Sequence, residues 1–316
     1  MRLLLLFSFL LSFSFNSTAE TEADRYPESE LYSKPVEVVK GVWTAIGATQ
    51  PPTYENAGHN NNLSFIISND GVLVVNSGAS SFLAKALHDE IKKITDQPVR
   101  FVVLENGQGH AMLGSNYWQK QGAKIIAHDD AITEIEKYGA VEAQGMRAYN
   151  RDRGMDTALT MPDISFSERL EIQLGDILVE LIHFGSAHSA GDISVYLPKQ
   201  DIIIAGDIAF HQRMLPVFPE TKTLLWVETF DLFVATGAKH VIPGHGEPTD
   251  MMTVTAQTKG YLTYLQDRAR KLLDEDLGLE DAYEIDQSAY RHLDTFEELA
   301  KKNAGRIFQE LEIDSF

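Results

Sequence analysis

Three polar residues close apolar runs at tight turns. His188 sits in FGSAHSAGD, a Gly- and Ser-rich loop, Asp207 ends IIIAGD, and His245 sits between glycines in IPGHGEP. Imidazole and carboxylate are the groups that hold divalent metals and move protons near neutral pH. Each alone is more often structural. Together, each at the C-terminal end of a strand, they can converge on one rim of a sheet sandwich. A fourth stretch, VVLENGQGHAMLGSNYWQKQGAKIIAH (residues 102–128), leaves a strand through the polar loop Asn106-Gly107-Gln108-Gly109-His110-Ala111. Its two amides and one imidazole, with no carboxylate, pose the question of a metal site, a rebuilt one, or neither.

The remaining histidines read as bystanders. His88 falls in an amphipathic helix, His292 in the tail, and His183 and His240 at strand edges. The run GHNNN (58–62) reads as a solvated loop in which His59 offers one more donor. FHQRM places His211 and Arg213 after Asp207, again in an exposed loop, from which Arg213 could meet an acidic substrate.

The elements that must position these residues follow from periodicity. GVWTAIGA, NLSFIISN and GVLVVNSG are strand-like, the last two joined at Asn69-Asp70-Gly71, a hairpin signal. SSFLAKALHDEIKKI has helical apolar spacing after a Ser pair. Strand VRFVVLE, helix LGSNYWQKQ, strand KIIAH and a helix near 129–148 follow. The second half adds strands RLEIQL, DILVELIHFG, ISVYLP and DIIIAGD, helix TLLWVETFDLFVATG and strand HVIPGHG. Strand–strand–helix halves occurring twice predict an α/β fold, a four-layer αββα sandwich over residues 41–250. A C-terminal helical extension, 251–316, holds helices near 252–274 and 288–311.

Composition narrows the classes. The 316 residues contain no cysteine, so disulfides and thiolate ligands are excluded. A formal charge of −19 disfavours nucleic acid and anionic membrane as partners. Met1-Arg2, the run LLLLFSFLLSFSF and small residues at Ser17 and Ala19 fit a signal peptide, residues 1–19, with a mature start near Glu20. About 13 apolar residues fall short of the ~20 that span a bilayer. The expectation is a periplasmic or secreted protein with no membrane anchor after cleavage, led by an N-terminal arm at 20–40.

The order of motifs resembles the metallo-β-lactamase superfamily, in its glyoxalase-II-like and exported stand-alone hydrolase branches. VVNSG resembles the landmark Asp-Thr/Ser-Gly, with Asn76 in the Asp place; His188 with Gly191-Asp192, Gly206-Asp207 and Pro243-Gly244-His245-Gly246 match later landmarks. The His-x-His-x-Asp-His motif falls on Asn106, Gln108, His110 and Ala111, and every position departs from it. The resemblance implies two zinc ions bridged by water and by the Asp matched by Asp207. Amide oxygens are poor zinc ligands, and the lost carboxylates leave a second cation uncompensated. At most one zinc ion per chain is therefore expected, on His110, His188, Asp207 and His245, or an empty pocket whose His residues bond Asn106 and Gln108. Two functions stay open: a one-metal hydrolase of an ester, amide or lactone, and a non-catalytic relative that binds a small ligand or a partner.

Overall fold

The computed structural model describes residues 26–315; residues 1–19, expected to be a signal peptide, lie outside them. The first half runs β1 (Val36–Val39), β2 (Val42–Ala45), β3 (Leu63–Ser68), β4 (Gly71–Val75), α1 (Ser81–Ile94), β5 (Val99–Val103), α2 (Gly109–Met112), α3 (Ser115–Lys120), β6 (Lys124–His128), α4 (Asp129–Asn150) and β7 (Ile164–Phe166). These strands form one sheet in sequence order, antiparallel from β1 to β4 and parallel from β4 to β7. Asn69 and Asp70 make the two-residue turn that pairs Ser68 with Gly71. The Ser pair does start α1, where the Ser80 hydroxyl accepts from Leu83 N.

The second half runs β8 (Arg169–Leu174), β9 (Ile177–Ile182), β10 (Ser194–Leu197), β11 (Ile202–Phe210), α5 (Thr223–Val234) and β12 (His240–His245). The order is β12-β11-β10-β9-β8, with β11–β12 as the parallel pair. The tail is α6 (Met251–Val254), a π-turn at Thr255–Lys259, α7 (Gly260–Asp274), α8 (Leu279–Ala282) and α9 (Phe296–Asp314).

Period-two alternation explains the layers. Leu73 and Val75 of β4 join Ile202 and Ile204 of β11 in the core between the sheets. Val72 and Val74 face α1 and α4 instead, and Ile203 and Ala205 face α5, α7 and α9. Helices thus cover both outer faces, and the expected αββα sandwich is what forms. The tail seals the second face: Asn303 accepts from Val217 N at 2.9 Å and donates to the Leu215 carbonyl at 2.8 Å. Among the described residues no helix is long and apolar enough to cross a membrane.

Two short strands go unread in the sequence, and one strand reading needs adjustment. β1 and β7 are short edge strands, of four and three residues, too brief to show a period. β11 does not stop at Asp207 but runs to Phe210, because Gly206, at φ +62°, takes up an irregularity in the pairing with β12. Asp207 therefore stands within a strand, not at its end.

Candidate active site

The candidate residues meet where β4, β5, β11 and β12 end. Asp207 is 1% exposed, and the three imidazoles reach its carboxylate from different elements. His110 Nε2 lies 3.5 Å and His188 Nε2 3.8 Å from Oδ2, and His245 Nε2 lies 3.3 Å from Oδ1. His110 is the second residue of α2, His188 lies on the β9–β10 loop, and His245 ends β12. His188 is walled by Phe210, Phe218 and Trp226, while His245 stacks on Phe210 at 5.0 Å between centroids. Close approach leaves no room for side chains around the acid. A Cβ at Gly244 would stand 2.4 Å from Asp207 Oδ1, and one at Gly206 would stand 2.4 Å from Glu105 Oε2.

Glu105 is the residue that the sequence reading passed over. It follows β5, one position before the polar loop, is 2% exposed, and contacts His110 Nε2 through Oε1 at 2.9 Å. The ligating atoms of Glu105, His110 and Asp207 lie within 4.8 Å of one another. The only cue was an acidic residue ending an otherwise apolar strand. Asn76, at φ +70°, accepts from Glu105 N at 3.1 Å, so an amide orients this loop without the charge of an Asp.

The loop amides are not ligands of the histidines. Asn106 turns its NH2 to Asp192 Oδ1 at 3.1 Å and Asp207 Oδ2 at 3.4 Å, while its Oδ1 accepts from Gln108 N at 3.0 Å. The expected bonding of the histidines to Asn106 and Gln108 is thus replaced: the imidazoles face carboxylates and the Asn106 amide bridges two of those acids. Gln108 lines the adjoining cavity, and Ala111 is wholly buried, its carbonyl accepting from Ser77 N and the Ser77 hydroxyl.

Three other expectations are corrected. GHNNN is buried, not solvated, because it clamps the β12 turn: Asn62 donates to the Pro243 and Gly246 carbonyls at 2.8 and 2.7 Å. His59 is fully buried away from the site, with Nδ1 accepting from Tyr32 N and Nε2 3.2 Å from the Ala45 carbonyl oxygen. Arg213 is no exposed substrate arm. Its Nη1 lies 2.9 Å from His245 Nδ1, its buried Nε has no partner, and it is not among the residues lining the cavity. Of the bystanders, His88 bonds the Tyr117 hydroxyl, His183 stacks on His128, and His240 is exposed.

Charge organises the cluster. Burial opposes the ionisation of Asp207, but His245 and His110 outweigh it and hold the carboxyl far below the usual range. Burial likewise opposes the His110 cation, yet Asp207 and Glu105 push its pKa up to about 9. Burial and the Arg213 cation lower His245 to about 4. Burial first, then the Asp207 charge, raises both Glu105 and Asp192, the latter well above the carboxylate range.

The donor set fits one divalent cation and not two. Asp207 Oδ1 is buried and accepts no hydrogen bond, while facing His245 Nε2; an orphaned carboxylate oxygen is a costly feature unless a cation satisfies it. A second ion would need donors where Asn106 presents N–H groups and Ala111 a methyl group. Beside the cluster opens a cavity of about 650 Å³, walled by one face of α4 and floored by His110 and His188.

No protein-family model matches the sequence. The chain is 22% identical over 190 residues to the metallo-β-lactamase type 2 of Bacteroides fragilis, covering 58% of this chain and 70% of the relative. It is 20% identical over 249 residues to the linear primary-alkylsulfatase of a Pseudomonas species, covering 66% of this chain but only 46% of that protein. Among solved structures, a metallo-β-lactamase from Pontibacter korlensis superposes with a TM-score of 0.60 at 18% identity, over 72% of this chain and 98% of the other. A stereoselective inverting sec-alkylsulfatase from Pseudomonas sp. gives 0.67 at 14% identity, over 87% and 49%. With two face-packed sheets, helices outside and the site near the strand ends, the chain has the metallo-β-lactamase fold, and its sequence is similar to members of that superfamily.

Proposed function

We propose that this protein is an exported hydrolase of small esters, amides or lactones that works with at most one divalent ion, most naturally zinc. The observation that carries the reading is Asp207: a buried carboxylate with an unpartnered oxygen, ringed by three imidazoles at 3.3–3.8 Å, beside an open cavity. Asp207 and His245 would hold the ion, with His110 and Glu105 or His188 completing the set. A bound ion would supply Lewis acidity and an activated water. The chain's own residues do the rest. Glu105 fixes the His110 ring and can take a proton from it, and the Gln108 amide is placed at the cavity to donate to a substrate carbonyl. The phenyl and indole walls around His188 exclude water from its side of the site.

A second reading rests on a different contact. His245 Nδ1 lies 2.5 Å from the Asn60 carbonyl oxygen and 2.9 Å from Arg213 Nη1. The carbonyl requires Nδ1–H, which leaves Nε2 a lone pair for an ion. The guanidinium requires a lone pair on Nδ1, which places Nε2–H against Asp207 and closes the site. The closed form is a non-catalytic pocket for a small ligand. Metal content after chelator-free purification, with and without added zinc, separates the two when combined with an ester, amide and lactone panel. One ion per chain, with turnover abolished in Asp207→Asn, supports the hydrolase; no ion and no turnover supports the binding protein. Export rests on residues 1–19 and is checked by the N-terminal mass of protein from the native host, expected near Glu20.

A further inference from the structure

The cavity wall carries information about what enters it. The face that α4 turns to the cavity is spaced at helical intervals and includes Tyr138, Val141, Glu142 and Tyr149. Opposite stand Phe218 and Glu220, from the loop before α5. Tyr138, Val141 and Phe218 are 37%, 67% and 44% exposed, an uncovered apolar rim at the mouth. The carboxylates of Glu142 and Glu220 are also exposed there.

Positive charge is scarce at the mouth, since the one cationic group lining the cavity, His110, lies on its floor against Glu105 and Asp207. Among the described residues, no lysine or arginine lines the cavity. Arg213 is spent behind His245, and Lys137, the cation beside the rim, folds its ammonium to 4.7 Å from the Tyr138 ring. A third cavity acid, Glu134, is committed to structure, accepting from Ala190 N at 3.1 Å on the loop that carries His188. At the mouth a carboxylate, sulfate or phosphate would meet two like charges before reaching His110 on the floor. An ammonium group there would find two carboxylates and the aromatic side chains of Tyr149 and Phe218, the surroundings that attract such cations.

We infer that the ligand of this cavity is an organic cation, an apolar or aromatic body carrying an ammonium group. The inference rests on reading the cavity as the substrate site of the function proposed above, and it narrows that function to cationic esters or amides. It also sets the chain apart from a sulfatase, whose substrate brings an anion.

The test is equilibrium binding with probes that have no bond to hydrolyse: benzyltrimethylammonium, 2-phenylethanol and phenylacetate. They are titrated calorimetrically into wild type and into the Glu142→Gln/Glu220→Gln double variant, which alters only exposed side chains. Exposed charge pairs contribute about 1.4- to 5-fold each, so the double variant should lose about 2- to 25-fold of the preference for the cation over the alcohol. That preference should also shrink with added salt. The expected order in wild type is cation, then alcohol, then anion. Equal or tighter binding of phenylacetate, binding of none of the three, or a cation preference unchanged in the double variant would overturn the inference. A protein that prefers the cation yet hydrolyses nothing would refute the proposed hydrolase and leave the ligand class standing.

Discussion

A methyl group added at Gly244 probes how tightly the strands hold Asp207. In Gly244→Ala the new Cβ would meet Asp207 Oδ1 at 2.4 Å and the Gly206 carbonyl carbon and oxygen at 2.8 and 2.9 Å. The last two atoms belong to the backbone of β11, which pairs with β12 at Gly206 and Pro243. Neither can retreat without disturbing the parallel ladder. The carboxylate cannot swing away either, because Asn106, His110 and His188 already crowd its other oxygen. Gly244 is not among the residues with positive φ, so the cost is overpacking and not backbone strain.

Overpacking of this kind costs about 1–3 kcal/mol, which for a chain of this size lowers Tm by roughly 1.5–5 °C. The same displacement moves the Asp207 oxygen that faces His245, so zinc affinity should fall with stability. Differential scanning calorimetry in chelator isolates the first effect, and a zinc titration of the folded variant reads the second. Gly145→Ala is the control: it lies on α4 beside the cavity, a Cβ there meets nothing within 4 Å, and the helix should gain stability by about 0.5–1 kcal/mol. A Gly244→Ala protein with unchanged Tm and unchanged zinc affinity would show that the strand ends are pliant and that the tight cradle around Asp207 is not a constraint.

Four further outcomes are expected. Arg213→Met removes the cation at 2.9 Å from His245 Nδ1 and should tighten zinc binding about 10- to 100-fold, the range seen when the partners of a ligand's outer nitrogen change; weaker binding would mean that Arg213 supports the ligand. Glu310→Ala strips α5 of a remote cap, since Glu310 accepts from Thr223 N at 3.0 Å where Lys222 offers no side-chain cap, and should cost about 1–2 kcal/mol by chemical denaturation. Penicillin, cephalosporin and carbapenem substrates should show little or no turnover with zinc supplied; efficient turnover lost in His245→Ala would contradict the single-ion site. The five-fold change Asn76→Asp, Asn106→His, Gln108→His, His110→Asp and Ala111→His should raise zinc content from at most one to two ions by elemental analysis, and a folded variant still holding one would reject the alignment of the loop.

Much of the fold could be read from the chain because its signals are local. Val72–Val75 and Ile202–Ala205 alternate between two cores, and the Asn69-Asp70 turn and the Ser80 cap lie beside the elements they end. His110, His188, Asp207 and His245 were legible for the same reason, each standing beside a glycine or small residue soon after an apolar run. What was missed depends on partners distant in sequence. Asn62 bonds Pro243 and Gly246, Arg213 meets His245, and Asn106 meets Asp192 and Asp207. GHNNN and FHQRM have the composition of exposed loops, and only the closure of the two sheets buries the first and partly covers the second. Glu105 was hidden by position, since a lone acid after an apolar strand is commonly a surface residue.

These missed residues change what the Asn106–Ala111 loop can do. Counted within Asn106–Ala111 alone, the site offers one imidazole and no carboxylate. Counted in space, it includes the Glu105 carboxylate and an outer cation from Arg213, while Asn106 binds two acids together. One positive centre stands directly against Asp207. His110 itself supplies that charge, with its pKa near 9, when no ion is bound. An ion at His245 and a proton at His110 therefore compete for the same carboxylate. The contact that sets the balance between them is the one at His245 Nδ1, where Asn60 and Arg213 ask for opposite tautomers. The Asn106–Ala111 loop is coupled to that contact through Asp207, which is why Arg213 matters as much as any residue of the loop.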